Sequence, residues 1–215
     1  MTFLELCIRV REQSGVSGNG PATTLSQTGV LAKLVSWVID ADMDIQSLKD
    51  DWKFLWRQNA ATLVTGQQSY TFVELGIADA NQGAIGSVFI DNLPALIIDW
   101  REWLDDFDQR LPDLGQPTVL SVSPDGKVFV YPVPIYDVAI KTNYYAEPVS
   151  LSADADISVI PAKFHDCIVQ KALMYYATFE EDMQLYQMAN ARYESKLTDL
   201  CNAQLPSMSK SGGRY

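Results

Sequence analysis

The only histidine in the chain stands in the run His165-Asp166-Cys167, three residue types that can ligate a metal or pair a thiol nucleophile with its base. Their spacing argues against both. Pro161 is a natural first helical residue, and "AKFHDCIVQKALMYYATF" repeats apolar residues at helical intervals. Consecutive helical residues point about 100° apart, so the three side chains do not converge on one ion or one proton. Helical metal pairs sit three or four positions apart, and Lys163, Ile168 and Val169 offer no second ligand. With no other histidine to act as base, the expectation is structural: Cys167 is a small buried hydrophobe and His165 a hydrogen bonder near a helix start.

The acids invite a second chemistry. Asp99, Glu102, Asp105, Asp106 and Asp108 interleave with Trp100 and Trp103, and glycosidases pair carboxylates beside aromatic platforms. On a helix, however, these acids fall largely opposite the tryptophans, as on an ordinary surface helix. "DADMD" at 40–44 lacks the glycine and terminal glutamate of a calcium loop and lies inside a helical pattern. "GNGP" and "SGG" lack the lysine and strand of a phosphate loop, and neither G-x-S-x-G nor H-E-x-x-H occurs. No catalytic, cofactor-binding or metal-binding residue is expected, and no enzyme.

The elements that would position these residues fall into three stretches. Thr2 and Glu5 have capping-box spacing and open a short helix carrying Phe3, Leu6, Cys7 and Val10 on one side. Leu31, Leu34, Val38, Ala41, Ile45, Leu48, Trp52 and Leu55 alternate steps of three and four, which predicts one helix over roughly 26–57, about 48 Å long. From about Thr62, "VTGQQSYTF", "GSVFIDN" and "PALIID" read as strands, interrupted by a short helix at "DWREWLDDF". "TVLSVSPDGKVFVYP" is a hairpin turning at Pro124-Asp125-Gly126, and "AIKTNYYAEP" is expected to add a third strand to that meander. After the polar "SLSADADISVI", helix returns at Pro161 and is expected to break near Thr178, where Thr178 and Glu181 repeat the capping spacing. The last helix carries Tyr186, Ala189, Tyr193, Leu197 and Leu200 on one stripe.

The expected fold class is therefore α+β: an elongated helical bundle, built from the long second helix and the C-terminal helices, with an inserted β-rich region. Its parts are 1–62 (first part of the bundle), 63–154 (β-rich insertion with a short helix), 155–205 (second part) and 206–215 (flexible tail). Sixteen Lys and Arg against 27 Asp and Glu leave a net charge of −11, which disfavours a phosphate-gripping surface. Cys7, Cys167 and Cys201 are an odd number without short spacing, as expected of reduced thiols in a cytosolic compartment. "MTFLELCIRVREQSG" mixes charges among its apolar residues, and no eighteen apolar residues run together, so a soluble protein without signal peptide or membrane span is expected.

Four stretches taken in order, "GVSGNGPATTLSQTGVLAKLVSWVIDADMDIQSLKDDWKFLW", "GQQSYTF", "GQPTVLSVSPDGKVFVYPVP" and "IPAKFHDCIVQKALMYYATFEEDMQLYQMANARYESKL", resemble the head-to-tail adaptor (connector) proteins of tailed bacteriophages. The resemblance covers nearly all of residues 1–205. It implies a virion structural protein, made in the host cytoplasm and placed in the neck, whose copies form a ring of about twelve beneath the portal. One end would dock on the portal and the other on a tail tube or nozzle protein, with DNA passing through the lumen without specific binding. At −11 per copy, such a ring carries on the order of −130, enough to keep DNA from sticking to the passage. Ser209, Lys210, Arg214 and Tyr215 of the tail are the expected partner-contacting residues, Arg and Tyr being types that anchor interfaces. The alternative reading, motivated by residues 99–108, is a carbohydrate-binding or hydrolysing tail component.

Overall fold

Thr2 and Glu5 form the capping box that their spacing predicts. Thr2 Oγ1 accepts from the Glu5 N–H at 3.3 Å and Glu5 Oε2 from the Thr2 N–H at 2.9 Å, which starts α1 (Phe3–Ser14) with Phe3, Leu6, Cys7 and Val10 buried. The structure is a computed structural model that describes residues 1–107 and 113–205, with backbone only at 81–84. Ser209, Lys210, Arg214 and Tyr215, and Asp108 of the acidic segment, lie outside the described residues.

The second helix, α2 (Gly29–Ser47), is 19 residues long, about 28 Å rather than 48 Å. Asp50 and Asp51 would sit at the negative end of a continued helix, where acids are unfavourable. Trp52 instead folds back, and its Nε1–H donates to the Ile45 carbonyl at 3.1 Å, satisfying an acceptor at the helix end. A 3-10 turn (Lys53–Leu55) leads directly into β1 (Trp56–Leu63), so strand begins where helix was expected to end.

The chain then runs through β2 (Ser69–Thr71), β3 (Ala80–Ile90), β4 (Leu93–Ile98), α3 (Trp100–Asp106), β5 (Leu114–Gly115), β6 (Val119–Val122), β7 (Lys127–Tyr131), β8 (Val133–Pro134) and β9 (Val138–Ala146). Seven strands form one sheet in the order β1-β9-β3-β4-β6-β7-β2, and β5 pairs with β8 apart from it. The expected hairpin is β6–β7, with Gly126 at φ 77° in its turn. The expected third strand of the meander is not there. Pro132 and Pro134 follow β7 and cannot donate to a continuing ladder, and β9 crosses to lie between β1 and β3. β4 and β6 pair in parallel. The helices end with α4 (His165–Phe179) and α5 (Met183–Gln204).

Two compact units result, one of residues 1–54 with 148 onward, the other Leu55–Glu147. The expected elongated helical bundle is thereby corrected: among the described residues there are five α-helices and a large, curled, half-barrel sheet of seven strands. The reason is local. Leu48, Trp52 and Leu55 continue the apolar repeat in register while their backbone leaves the helix, and Trp52 and Leu55 are buried from a loop and a 3-10 turn.

In the sheet unit, alternation sends side chains to two cores. Leu120, Val128, Val130, Val138, Ile140 and Tyr144 fill the larger one with residues of the 63–77 segment. Phe129 and Tyr131 point the other way and, with Val119 and Ile98, receive Trp103 of α3. Gly76 closes a turn at φ 65°, and a Cβ there would stand 2.6 Å from Asn59 Nδ2, which donates to the Leu75 carbonyl at 2.7 Å. Gly76→Ala should therefore lower stability by about 1–3 kcal/mol, from left-handed strain plus displacement of Asn59, measured by chemical denaturation. A variant that melts with the wild type would refute the close approach.

Candidate assembly surfaces

His165 is fully buried. Its Nε2–H donates to the Ile160 carbonyl at 2.8 Å, which leaves Nδ1 to accept from the Met1 amino group at 3.0 Å, the arrangement of a neutral imidazole. Burial, above all, holds its pKa below the ordinary histidine value. Asp166 turns away to pair with Arg9 at 3.3 Å. Cys167 is buried and its thiol pushed up to about 12, chiefly by burial and then by the neighbouring Cys201 and Asp166. The trio diverges, as helical spacing requires, and at neutral pH it offers no thiolate beside a base.

The tryptophan helix is an ordinary packed helix. Asp99 caps it by accepting from the Arg101 N–H at 2.8 Å. Trp103 is buried against Phe129, with ring centroids 5.8 Å apart, and Trp100 lies 5.0 Å from the same ring. Glu102, Asp105 and Asp106 are exposed on the other side. Trp103, one of the two rings on which a sugar would stack, is thus turned into the sheet, and Trp100 is half-buried beside it.

"DADMD" is likewise divided by the helix that carries it. Asp40 is exposed, and Asp44 pairs with Lys171 at 3.4 Å and accepts from the Tyr175 hydroxyl. Asp42 is wholly buried: Oδ1 accepts from Ser158 Oγ at 2.5 Å and Oδ2 from Gln46 Nε2 at 2.8 Å. Burial raises its pKa from 3.8 to about 6. Gln46 also donates to the Val149 carbonyl at 3.1 Å and accepts from the Val149 N–H at 3.0 Å, while Ser158 Oγ accepts from the Ile160 N–H at 3.1 Å. Together they tie the returning segment 149–160 to α2. The same segment gives the Asp156 and Asp154 carbonyls to the Phe3 and Leu4 N–H groups of α1, and Asp154 accepts from Thr24. Sequence reasoning passed over this network; its signal was two polar residues, Asp42 and Gln46, on the apolar stripe of Val38, Ala41 and Ile45. Among the described residues no three His, Cys, Asp or Glu side chains gather to hold a metal.

The outer surface is where unspent chemistry remains. In the helical unit a groove of about 490 Å³ lies between α1, α4 and α5, with Arg9, Arg192 and Lys196 along it and Asp166 paired to Arg9. It continues past Gln13 and Gln170 to Leu173, Leu185 and Met188. In the sheet unit, large apolar side chains at Val73, Leu93, Leu96 and Leu114 are more than half exposed. Surfaces of this kind suit contacts with other proteins. Among the described residues no helix is long and apolar enough to cross a membrane. The chain matches the family model of the SU10 adaptor protein over residues 1–214. No curated protein matches it.

Proposed function

The chain belongs to the SU10 adaptor family of phage head-to-tail adaptor proteins, and on that premise we propose that its copies close into a ring of about twelve between portal and tail, lining the passage for DNA. The observation that carries this reading is the family match over residues 1–214. Two features support it. Apolar side chains stay exposed in both units, among them Leu25, Ile157 and Met183 in the helical unit and Leu93 and Leu96 in the sheet unit. The charge of −11 suits a passage that DNA must traverse without adhering. No reaction is required of the protein. It acts by holding neighbours, docking on the portal at one end and receiving a tail tube or nozzle protein at the other, in the neck of the virion.

The portal contact is proposed to involve Ser209, Lys210, Arg214 and Tyr215. Deleting 206–215 should leave the melting curve unchanged and weaken attachment to portal on the order of tenfold or more. Portal affinity measured on immobilised portal, with native mass spectrometry of the complex, checks both the tail and the ring. Wild-type affinity in the truncated chain would remove the tail from the interface. A chain that stays monomeric on portal would defeat the ring itself.

A further inference from the structure

The cationic groove of the helical unit is out of keeping with an acidic chain. Arg192 and Lys196 stand one helical turn apart on α5, and among the described residues neither has an ion-pair partner. Behind them Gln170, 2% exposed, donates Nε2–H to Gln13 Oε1 at 3.0 Å, and among the described residues its own Oε1 meets no donor. A buried carbonyl oxygen left without a donor is uncommon and marks a wall that is incomplete as it stands. The groove thus has a positive end and, beyond Gln170, an apolar end at Leu173, Leu185 and Met188.

The complement is present on the same chain. The turn from α4 to α5 reads Glu180-Glu181-Asp182-Met183, with all four residues exposed and Met183 at 66%. Its shape is fixed by the backbone: Glu181 is left-handed at φ 57°, the Asp182 N–H returns to the Ala177 carbonyl at 2.9 Å, and Asp182 caps α5 through the Leu185 N–H. Three carboxylates are therefore presented with one protruding thioether on a rigid knuckle. From Met183 to Arg192 the axis of α5 runs about 14 Å, so the knuckle and the cationic end of the groove occupy different places on one subunit. A knob in one place and a matching hole in another is the heterologous arrangement that closes rings.

We propose that the groove between α1, α4 and α5 receives the α4–α5 turn of a second copy, carboxylates against Arg192 and Lys196 and Met183 toward the apolar end, as the lateral contact of the ring. This rests on the ring reading above. Two charge-reversed full-length variants test it: Arg192→Glu with Lys196→Glu, and Glu180→Lys with Glu181→Lys, which spare Asp182 and its cap. Each should melt like the wild type, since the altered side chains lie outside the core, and each alone should lose ring formation on portal by more than about tenfold. Mixed in equal amounts they should regain it, because each variant's groove then meets the other's turn with opposite charge. The readout is ring mass by native mass spectrometry. Variants that assemble singly as well as the wild type overturn the contact while leaving the ring reading intact. Variants that fail singly and also fail when mixed overturn it too, because a charge contact must be restored by exchange. A wild type that forms no ring on portal removes both.

Discussion

Trp52→Ala should lower the stability of the protein by about 3–5 kcal/mol, the range for deleting a fully buried large aromatic side chain. Trp52 is 0% exposed, stacks on Phe54 with ring centroids 5.3 Å apart, and holds the Ile45 carbonyl through its indole N–H. The substitution removes the packing and also takes away the shorter of the two hydrogen bonds to the Ile45 carbonyl, leaving it the Leu48 N–H at 3.4 Å. Trp52→Phe separates the two effects. It keeps most of the ring volume and loses the donor, and should cost about 1–3 kcal/mol. Denaturant midpoints, converted with an unchanged slope, measure both variants. A Trp52→Ala midpoint equal to the wild type would contradict the burial on which the end of α2 rests.

The same residue shows how far periodicity can be read. A repeat of three and four reports burial better than backbone: Trp52 and Leu55 are buried as the pattern requires, while Leu48, in the turn that ends α2, is 46% exposed. It does not report the backbone that carries them, because a loop or a 3-10 turn can bury a side chain as a helix does. The break between α4 and α5 falls where it was expected, just after Thr178, but the residue that caps the next helix does not. Thr178 and Glu181 have capping-box spacing, but the Thr178 hydroxyl turns back to the Met174 carbonyl at 2.8 Å, and the cap is Asp182. The reversal is a Schellman turn with Glu181 in the left-handed position, where glycine is the usual signal and none stands here. α1 was legible because its whole signal, cap, reciprocal carboxylate and apolar stripe, is local.

The sheet was legible in most of its strands, though not in β1 (Trp56–Leu63), whose start lies in the helical repeat, and not in its order. Alternation in "AIKTNYYAEP" identifies a half-buried strand, and Val138, Ile140, Thr142, Tyr144 and Ala146 are its inward residues. Which strands flank it depends on pairing across long stretches of chain, with Trp56 opposite Tyr145 and Ile90 opposite Ile140, and nothing in a short window encodes that choice. The divergence of His165, Asp166 and Cys167 was legible, because it follows from helical geometry alone: His165 bonds to Met1 and Ile160, Asp166 pairs with Arg9, and Cys167 is buried. The groove was not legible at all. Its cations come from α1 and α5, which lie far apart in sequence and meet only in the fold.

Asp42 supplies the second large effect, and its sign is set by burial. Its folded-state pKa is raised from 3.8 to about 6, so the folded protein holds the proton more tightly than the unfolded chain does. The stabilisation is complete below pH about 4 and is lost as pH rises through about 6; the difference is worth about 3 kcal/mol at 1.36 kcal/mol per pH unit. The two donors that oppose the shift, the Ser158 hydroxyl and the Gln46 amide, are neutral, which is why burial prevails. His165 acts against it in part of the same window. Its folded pKa is lowered, so stability falls as pH drops through the unfolded value near 6.5. Asp154 and Asp156, held below the carboxylate range by hydrogen bonds from Thr24 and from the Ala153 backbone respectively, lose their contribution in the acid limb. A raw stability profile mixes these. The difference between wild type and Asp42→Asn isolates one of them, since the asparagine does not titrate and His165, Asp154 and Asp156 are common to both proteins. Relative to Asp42→Asn, the wild type should gain about 2 kcal/mol between pH 7 and pH 4, measured by denaturant unfolding at half-unit steps. A difference that stays flat across that range would mean that Asp42 does not take up its proton on folding, and that the segment 149–160 is tied to α2 by an ionised carboxylate.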